Sequence, residues 1–163
     1  MKNSLVIIVE DDAPLRQGLS DWLSEEHEVS SFGSAEEFLL ALNDFEFELG
    51  IPTCMLLDFQ MPGMTGVELQ STLRHSNIEF PIVFMRGNAQ HADIIEAWRG
   101  GAVDFLLKPF TGGEVSNALS ASFSKSALLK LDAQVVQETD SPIELSITHR
   151  EAQVLLLLGQ GHR

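Results

Sequence analysis

Apolar residues in this chain fall into short unbroken runs that alternate with stretches patterned on a helical repeat. Leu5-Val6-Ile7-Ile8-Val9 is a continuous run of strand formers, as expected where a strand is covered on both faces and neither side of the pleat meets water. Glu28 to Phe32 reads as a second strand, Cys54 to Leu57 as a third ending at Asp58, Pro81 to Met85 as a fourth and Val103 to Leu107 as a fifth. Pro14 opens a helical stretch through Leu15, Leu19, Trp22 and Leu23, proline being tolerated in a first turn. Ser34-Ala35-Glu36-Glu37 spells a capping box for a helix carrying Phe38, Leu39 and Leu42. Further helical patterns occupy Val67–Arg74, Ala92–Trp98 and Val115–Phe123. Strands that each lead into a helix predict an α/β fold, a doubly wound five-stranded parallel sheet covered on both faces.

Beyond the fifth strand the apolar positions Val115, Leu119, Phe123, Leu128, Leu131 and Val135 recur roughly every four residues, with no Pro or Gly between them. One long helix from about Glu114 to about Gln137 is predicted, on the order of 35 Å at 1.5 Å per residue. The alternative is two helices broken at Ser124–Ser126. Glu138-Thr139-Asp140-Ser141-Pro142 ends the pattern as a linker. Thr148-His149-Arg150-Glu151 is a second capping box, leading to a helix through Val154 to Leu158 and a stop at Gly159-Gln160-Gly161. Its consecutive leucines, Leu155 to Leu158, are expected to be disordered, to dock on a neighbour or to drive association.

Composition narrows the function classes. With 163 residues, 44% apolar and 21% charged, the chain reads as globular and able to bury a core without staples. The net charge is -14, and it is uneven: residues 1–124 hold six Lys/Arg against 19 Asp/Glu, residues 125–163 four against five. Such an acidic surface argues against this chain alone gripping a nucleic-acid backbone or an anionic membrane. The single cysteine, Cys54, rules out an internal disulfide and fits a reducing, cytoplasmic setting. No run is long enough for a membrane span or a signal peptide. The histidines, His27, His75, His91, His149 and His162, show no metal-ligand spacing, and His91 reads as a surface residue.

Candidate chemistry gathers at one place. In an open parallel sheet, ligands sit beyond the carboxyl ends of the strands. Glu10-Asp11-Asp12 follows the first strand, Asp58 ends the third, and Lys108-Pro109 follows the fifth. Crowded carboxylates repel by roughly 4 kcal/mol per pair at 4 Å and an effective dielectric near 20. Hard oxygen ligands so placed suit Mg²⁺. A carboxylate beside both a bound cation and a lysine is a plausible phosphoryl acceptor, since both charges neutralise the transferring group. Two enzyme classes fit poorly. An aspartyl-nucleophile phosphatase wants a second acid two residues after the nucleophile, where Gln60 stands, and a dinucleotide enzyme wants a Gly-rich turn after the first strand.

The order and spacing of these segments add a resemblance. Val9-Glu10-Asp11-Asp12-Ala13-Pro14-Leu15-Arg16, Leu56-Leu57-Asp58-Phe59-Gln60-Met61-Pro62-Gly63-Met64-Thr65-Gly66 and Asp104-Phe105-Leu106-Leu107-Lys108-Pro109-Phe110 closely resemble a response-regulator receiver domain. The resemblance covers residues 1–124 and implies a flavodoxin-like receiver that accepts a phosphoryl group from a sensor histidine kinase. It implies Asp58 as phosphoacceptor, Asp11 as the Mg²⁺-binding carboxylate, and Glu10 as its acidic neighbour, with a water between as one option. Gln60 would offer its backbone carbonyl to the metal, and Lys108 would pair with the phosphoryl group or the free carboxylate. Arg16 fixes the register and makes Asp12 the extra, solvated acid. The face built by the fourth helix, fifth strand and fifth helix, including His91–Arg99 and Val115–Phe123, would change on phosphorylation and alter homodimerisation or release an effector.

Two features depart from or extend that pattern. Receivers carry a Thr or Ser at the end of the fourth strand; here Arg86 stands in that place, and the second switch position is Phe105. Arg86 has three readings: pairing with Asp58 or Asp11 and displacing the metal, clamping the phosphoryl group, or swinging into solvent. The first would make the chain a non-phosphorylatable interaction module, the rival to a phosphorylated regulator. Residues 145–161 resemble the opening of a LuxR-type helix-turn-helix domain, which implies a transcription regulator that meets DNA only through the complete parent protein. The expected division is a receiver at 1–124, a linker at 125–143 continuing the fifth helix, and the truncated start of the LuxR-type domain at 144–163.

Overall fold

The computed structural model describes residues 3–42, 51–79, 81–87 and 91–138. Five strands, β1 (Leu5–Val9), β2 (Glu28–Phe32), β3 (Thr53–Asp58), β4 (Ile82–Arg86) and β5 (Asp104–Leu107), form one sheet in the order β2-β1-β3-β4-β5. Every neighbouring pair is parallel. The helices are α1 (Ala13–Leu23), α2 (Ala35–Leu42), α3 (Gly66–His75), α4 (His91–Arg99) and α5 (Gly112–Glu138). This is the doubly wound arrangement expected from the alternating runs, in the flavodoxin-like form that the receiver resemblance implies.

Side chains on a strand point alternately to opposite faces, and the core divides accordingly. Ile7, Val9, Met55, Leu57 and Phe84 pack with α2 (Ala35, Phe38), α3 (Leu69, Leu73) and α4 (Ala97). Val6, Ile8, Cys54, Leu56, Val83 and Met85 pack on the other face with α1 (Leu19, Leu23) and α5 (Val115, Ala118, Leu119). Both faces are dry, so both alternating sets must be apolar, and each buried Leu, Ile, Met or Phe side chain contributes about 1.5–3 kcal/mol. Cys54 lies wholly inside, where burial pushes its thiol up to about 12.

Helix ends explain where the observed elements outrun the expected ones. The hydroxyl of Thr65 accepts from the Glu68 N–H while the Glu68 carboxylate accepts from the Thr65 N–H, a complete capping box that starts α3 at Gly66. Thr111 and Glu114 form the same reciprocal pair at 3.1 and 3.2 Å, so α5 starts at Gly112, ahead of Glu114. At α2 the box is only half made. Ser34 Oγ accepts from the Glu37 N–H, but the Glu37 carboxylate reaches the Gly33 N–H instead. Helix α5 continues to Glu138 without the alternative break at Ser124–Ser126. The compact unit containing the sheet closes at Ala127. Most of the linker at Glu138–Pro142, the capping box at Thr148 and the leucines at 155–158 lie outside the described residues.

At the amino edge of the sheet, His27 is not a solvated residue. Its Nδ1 hydrogen-bonds the Ser4 hydroxyl, and its ring lies 5.3 Å from that of Phe123 on α5. Burial pulls its pKa below the ordinary 6.5, against the weaker opposing pull of Glu26. The folded state therefore holds His27 neutral, and below pH 6.5 the unfolded chain binds the proton first. Its contribution is present above the unfolded value and lost as pH falls through the folded one. Urea midpoints at pH 7.5 and 5.5 are expected to drop less for His27→Gln than for the parent. An equal drop would show that His27 does not couple to folding.

Candidate functional site

Between β1 and β3 the strand order reverses, because the chain leaves β1 for the sheet edge at β2 and returns to the other side. Loops leaving the two carboxyl ends must diverge there, which opens a crevice. The crevice is a cleft of about 340 Å³ lined by Glu10, Asp11, Asp12, Asp58, Phe59, Gln60, Gly87 and Lys108. Lys108 is placed by β5, its N–H continuing the ladder to the Arg86 carbonyl at 2.8 Å. Asp58 is likewise fixed by the ladder, since the next N–H, that of Phe59, donates to the Met85 carbonyl at 2.8 Å.

The charges are crowded and mostly out of water. Carboxylate oxygens of Glu10, Asp11 and Asp58 lie within 4.8 Å of one another. Glu10 is fully buried and Asp58 is 4% exposed, whereas Asp11 faces solvent. Lys108 Nζ sits 2.8 Å from Glu10 Oε1 and 3.3 Å from Asp58 Oδ1. Burial first, and then the Asp11 and Glu10 carboxylates, push Asp58 up to about 8. Asp11 is held below its ordinary value, chiefly by its interaction with the Asp58 carboxyl. Burial alone would lower Lys108, but the carboxylates of Glu10 and Asp58 outweigh it and raise its pKa. One ammonium among three carboxylates leaves negative charge uncompensated. The remaining donors are hard oxygens, so the set fits a small divalent cation.

Backbone supports the cluster from three sides. Arg16 Nη1 donates to the Glu10 carbonyl at 2.7 Å, and the Asp12 N–H donates to Glu10 Oε2 at 3.0 Å. Asp12 is not simply a solvated acid: it is the N-cap of α1, its carboxylate accepting from the Leu15 N–H at 3.3 Å. Asp followed two residues later by Pro at a helix start is a capping signal that was legible in the sequence. Gln60 is exposed at the cleft and its N–H donates to Asp58 Oδ1 at 3.4 Å. The loop from Phe59 to Thr65 is tied to α2 through Glu36, whose carboxylate accepts from the Met64 N–H at 2.9 Å and is thereby held below its ordinary pKa. Gly63 turns this loop at φ 79°, a conformation open to glycine.

The cluster therefore joins Glu10, Asp11, Asp58, Gln60 and Lys108 at one cleft, while Arg86 goes elsewhere. Among the described residues both ion pairs are made by Lys108, and Arg86 pairs with no carboxylate. Its guanidinium carbon lies 5.9 Å from the centre of the Phe105 ring. The first reading of Arg86, a salt bridge to Asp58 or Asp11, is not what this structure contains.

Residues 6–120 match the response regulator receiver domain family. The chain belongs to this family. Nodulation protein W of Bradyrhizobium diazoefficiens is 33% identical over 159 residues, covering 97% of this chain and 67% of that protein. Transcriptional regulatory protein FixJ of the same organism is 30% identical over 151 residues, covering 92% of this chain and 71% of that protein. The crystal structure of FixJ-N superposes with a TM-score of 0.66 at 31% identity, covering 76% of this chain and 96% of the other. The receiver is thus a signalling module of two-component systems with transcription regulators among its relatives, not a conventional enzyme. Receivers carry Mg²⁺ at an acidic pocket, and the acidic cluster in this one is Glu10, Asp11 and Asp58. Among the described residues no helix is long and apolar enough to cross a membrane.

Proposed function

We propose that this receiver accepts a phosphoryl group on Asp58 from a sensor histidine kinase and thereby controls a DNA-binding region. The observation that carries the reading is the placement of Lys108 within 3.3 Å of Asp58 in a cleft with two further carboxylates. A carboxylate oxygen of Asp58 attacks phosphorus as the P–N bond of the donor phosphohistidine breaks. The electron pair leaves with the imidazole, which takes up a proton. Asp11, Asp58, the Gln60 carbonyl and Glu10, the last directly or through water, would hold Mg²⁺, which would supply charge neutralisation at the transferring group. Lys108 holds the phosphoryl oxygens in line and keeps buried Glu10 compensated. Burial and the Asp11 and Glu10 carboxylates favour the protonated form of Asp58, which is a poor nucleophile, and this supports a cation requirement.

The proposed division is a receiver at 1–124, a linker at 125–143 and a LuxR-type region from 144, in a cytoplasmic regulator. The face of α4, β5 and α5, which exposes Ile95, Trp98 and Leu107, would meet a second copy on activation. Intact-protein mass after incubation with a small acyl phosphate tests the chemistry. One phosphoryl group is expected with Mg²⁺, at a rate falling at least about 100-fold in chelator, as loss of several kcal/mol of charge stabilisation demands. Lys108→Met is expected to slow uptake about 10²–10³-fold. A parent protein that never gains the group would instead favour the pure interaction module.

A further inference from the structure

A side-chain ligand can turn to meet a cation, but a backbone carbonyl points where the chain takes it. The Gln60 carbonyl therefore depends on what holds its loop. At one end the Phe59 N–H donates to the Met85 carbonyl at 2.8 Å. At the other, the Gly66 N–H donates to the Phe59 carbonyl at 3.1 Å and Thr65 is closed into the capping box of α3. Between these ends the Gln60 N–H makes a long bond of 3.4 Å to Asp58 Oδ1. The link to a separate element is the bond from the Met64 N–H to Glu36 Oε2, 2.9 Å long and spanning 28 residues of sequence. Glu36 is well anchored for this. It lies in the first turn of α2, where Ala35 and Phe38 are wholly buried and Ser34 accepts from the Glu37 N–H. Negative charge at a helix start is also favoured by the helix dipole. Gly63 lets the carboxylate approach: a Cβ there would stand 2.6 Å from Glu36 Oε2, so a side chain at 63 would push it off the loop.

We propose that Glu36, which stands outside the acidic cluster, is a positioning residue that sets the affinity of the site for a divalent cation by fixing the loop that carries Gln60. The inference rests on the metal-binding part of the reading above. Without the bond to Met64, the stretch from Gln60 to Met64 has more conformations open to it, and the entropy of ordering it falls on the binding step. Groups that orient a metal ligand directly are typically worth about 10–100-fold in metal affinity. Glu36 is exposed and acts through a peptide four residues beyond Gln60, so a smaller effect of about three- to tenfold is expected.

Mn²⁺ favours the same octahedral oxygen donors as Mg²⁺, and its free concentration is read by electron paramagnetic resonance as it is titrated into the full chain. The parent is expected to bind it saturably. Glu36→Ala is expected to raise the Kd about three- to tenfold. Glu36→Gln loses the charge but keeps an oxygen for the Met64 N–H, and is expected to stay within about twofold of the parent. In chelator, the Met64 amide is expected to exchange its hydrogen faster in Glu36→Ala than in Glu36→Gln, a readout that needs neither metal nor phosphoryl transfer. A lowered urea midpoint in Glu36→Ala with the Mn²⁺ affinity of the parent would overturn the proposal, because Glu36 would then serve stability alone. Equal weakening in both variants would also overturn it, by showing long-range attraction of the cation instead of a held loop. A parent that binds Mn²⁺ but never gains a phosphoryl group by mass would overturn the acceptor reading alone. A parent that binds no Mn²⁺ would overturn the role of Glu36 together with the metal site.

Discussion

Gly66→Ala is expected to destabilise this domain by about 3 kcal/mol or more, the upper end for overpacking a core. A Cβ at Gly66 would stand 2.3 Å from the Asp58 carbonyl oxygen and 3.1 Å from Phe84 Cε1. The first contact sets a Cβ, fixed by the helix backbone, against a backbone oxygen, so no side-chain rotation relieves it. Helix α3 would have to move off β3, breaking the Gly66 N–H to Phe59 carbonyl bond of 3.1 Å and shifting the strand end that holds Asp58. Against a total stability of about 5–15 kcal/mol for a typical domain, that is a large fraction. Gly18→Ala supplies the contrast. It lies in α1 with nothing within 4 Å of its Cβ position, and a helical Gly→Ala change gains roughly 0.5–1 kcal/mol. Urea unfolding of both variants checks the pair. A Gly66→Ala midpoint equal to that of the parent would mean the β3–α3 junction is looser than this packing indicates.

Asp58→Asn is expected to abolish phosphoryl uptake and, in metal-free buffer, to stabilise the fold by about 1–3 kcal/mol. The sign follows from crowding. Three carboxylates are crowded about one ammonium, which pairs with Glu10 and Asp58, and like charges at such separations repel by roughly 4 kcal/mol per pair at 4 Å and an effective dielectric near 20, of which the raised proton affinity of Asp58 relieves a part. Asparagine removes a charge while keeping an oxygen that can accept from Lys108 and from the Gln60 N–H. The site would thus be held at a cost to stability, which a divalent cation repays. Unfolding in chelator distinguishes the outcomes. A less stable Asp58→Asn would show that Asp58 contributes more through its hydrogen bonds than it loses to repulsion.

The strands were legible because a sheet buried on both faces demands unbroken apolar runs, and Leu5–Val9 and Cys54–Leu57 are such runs. Helix starts were less so. Thr65 and Thr111 pair with Glu68 and Glu114, but the glycines just inside each helix, at 66 and at 112 and 113, read as loop. At the site, the juxtaposition of Asp11, Asp58 and Lys108 followed from strand ends meeting at one edge. The depth of Glu10 did not, because an acid directly after an apolar run reads as the first solvated residue. It stays buried because Lys108, the Asp12 N–H and the Arg16 clamp on its carbonyl compensate it. Arg86 was the least legible. Strand alternation gives its face, but the choice between a carboxylate and the Phe105 ring is a competition between two long-side-chain placements that no spacing encodes.

The account stands or falls on where the phosphoryl group goes. Borohydride reduction of the phosphorylated chain, followed by peptide sequencing in the mass spectrometer, converts an aspartyl phosphate to homoserine and so marks its position. The prediction is homoserine at position 58 alone, dependent on Mg²⁺. Homoserine at position 11 or 12, or at no position in protein that has gained the phosphoryl mass, would contradict it.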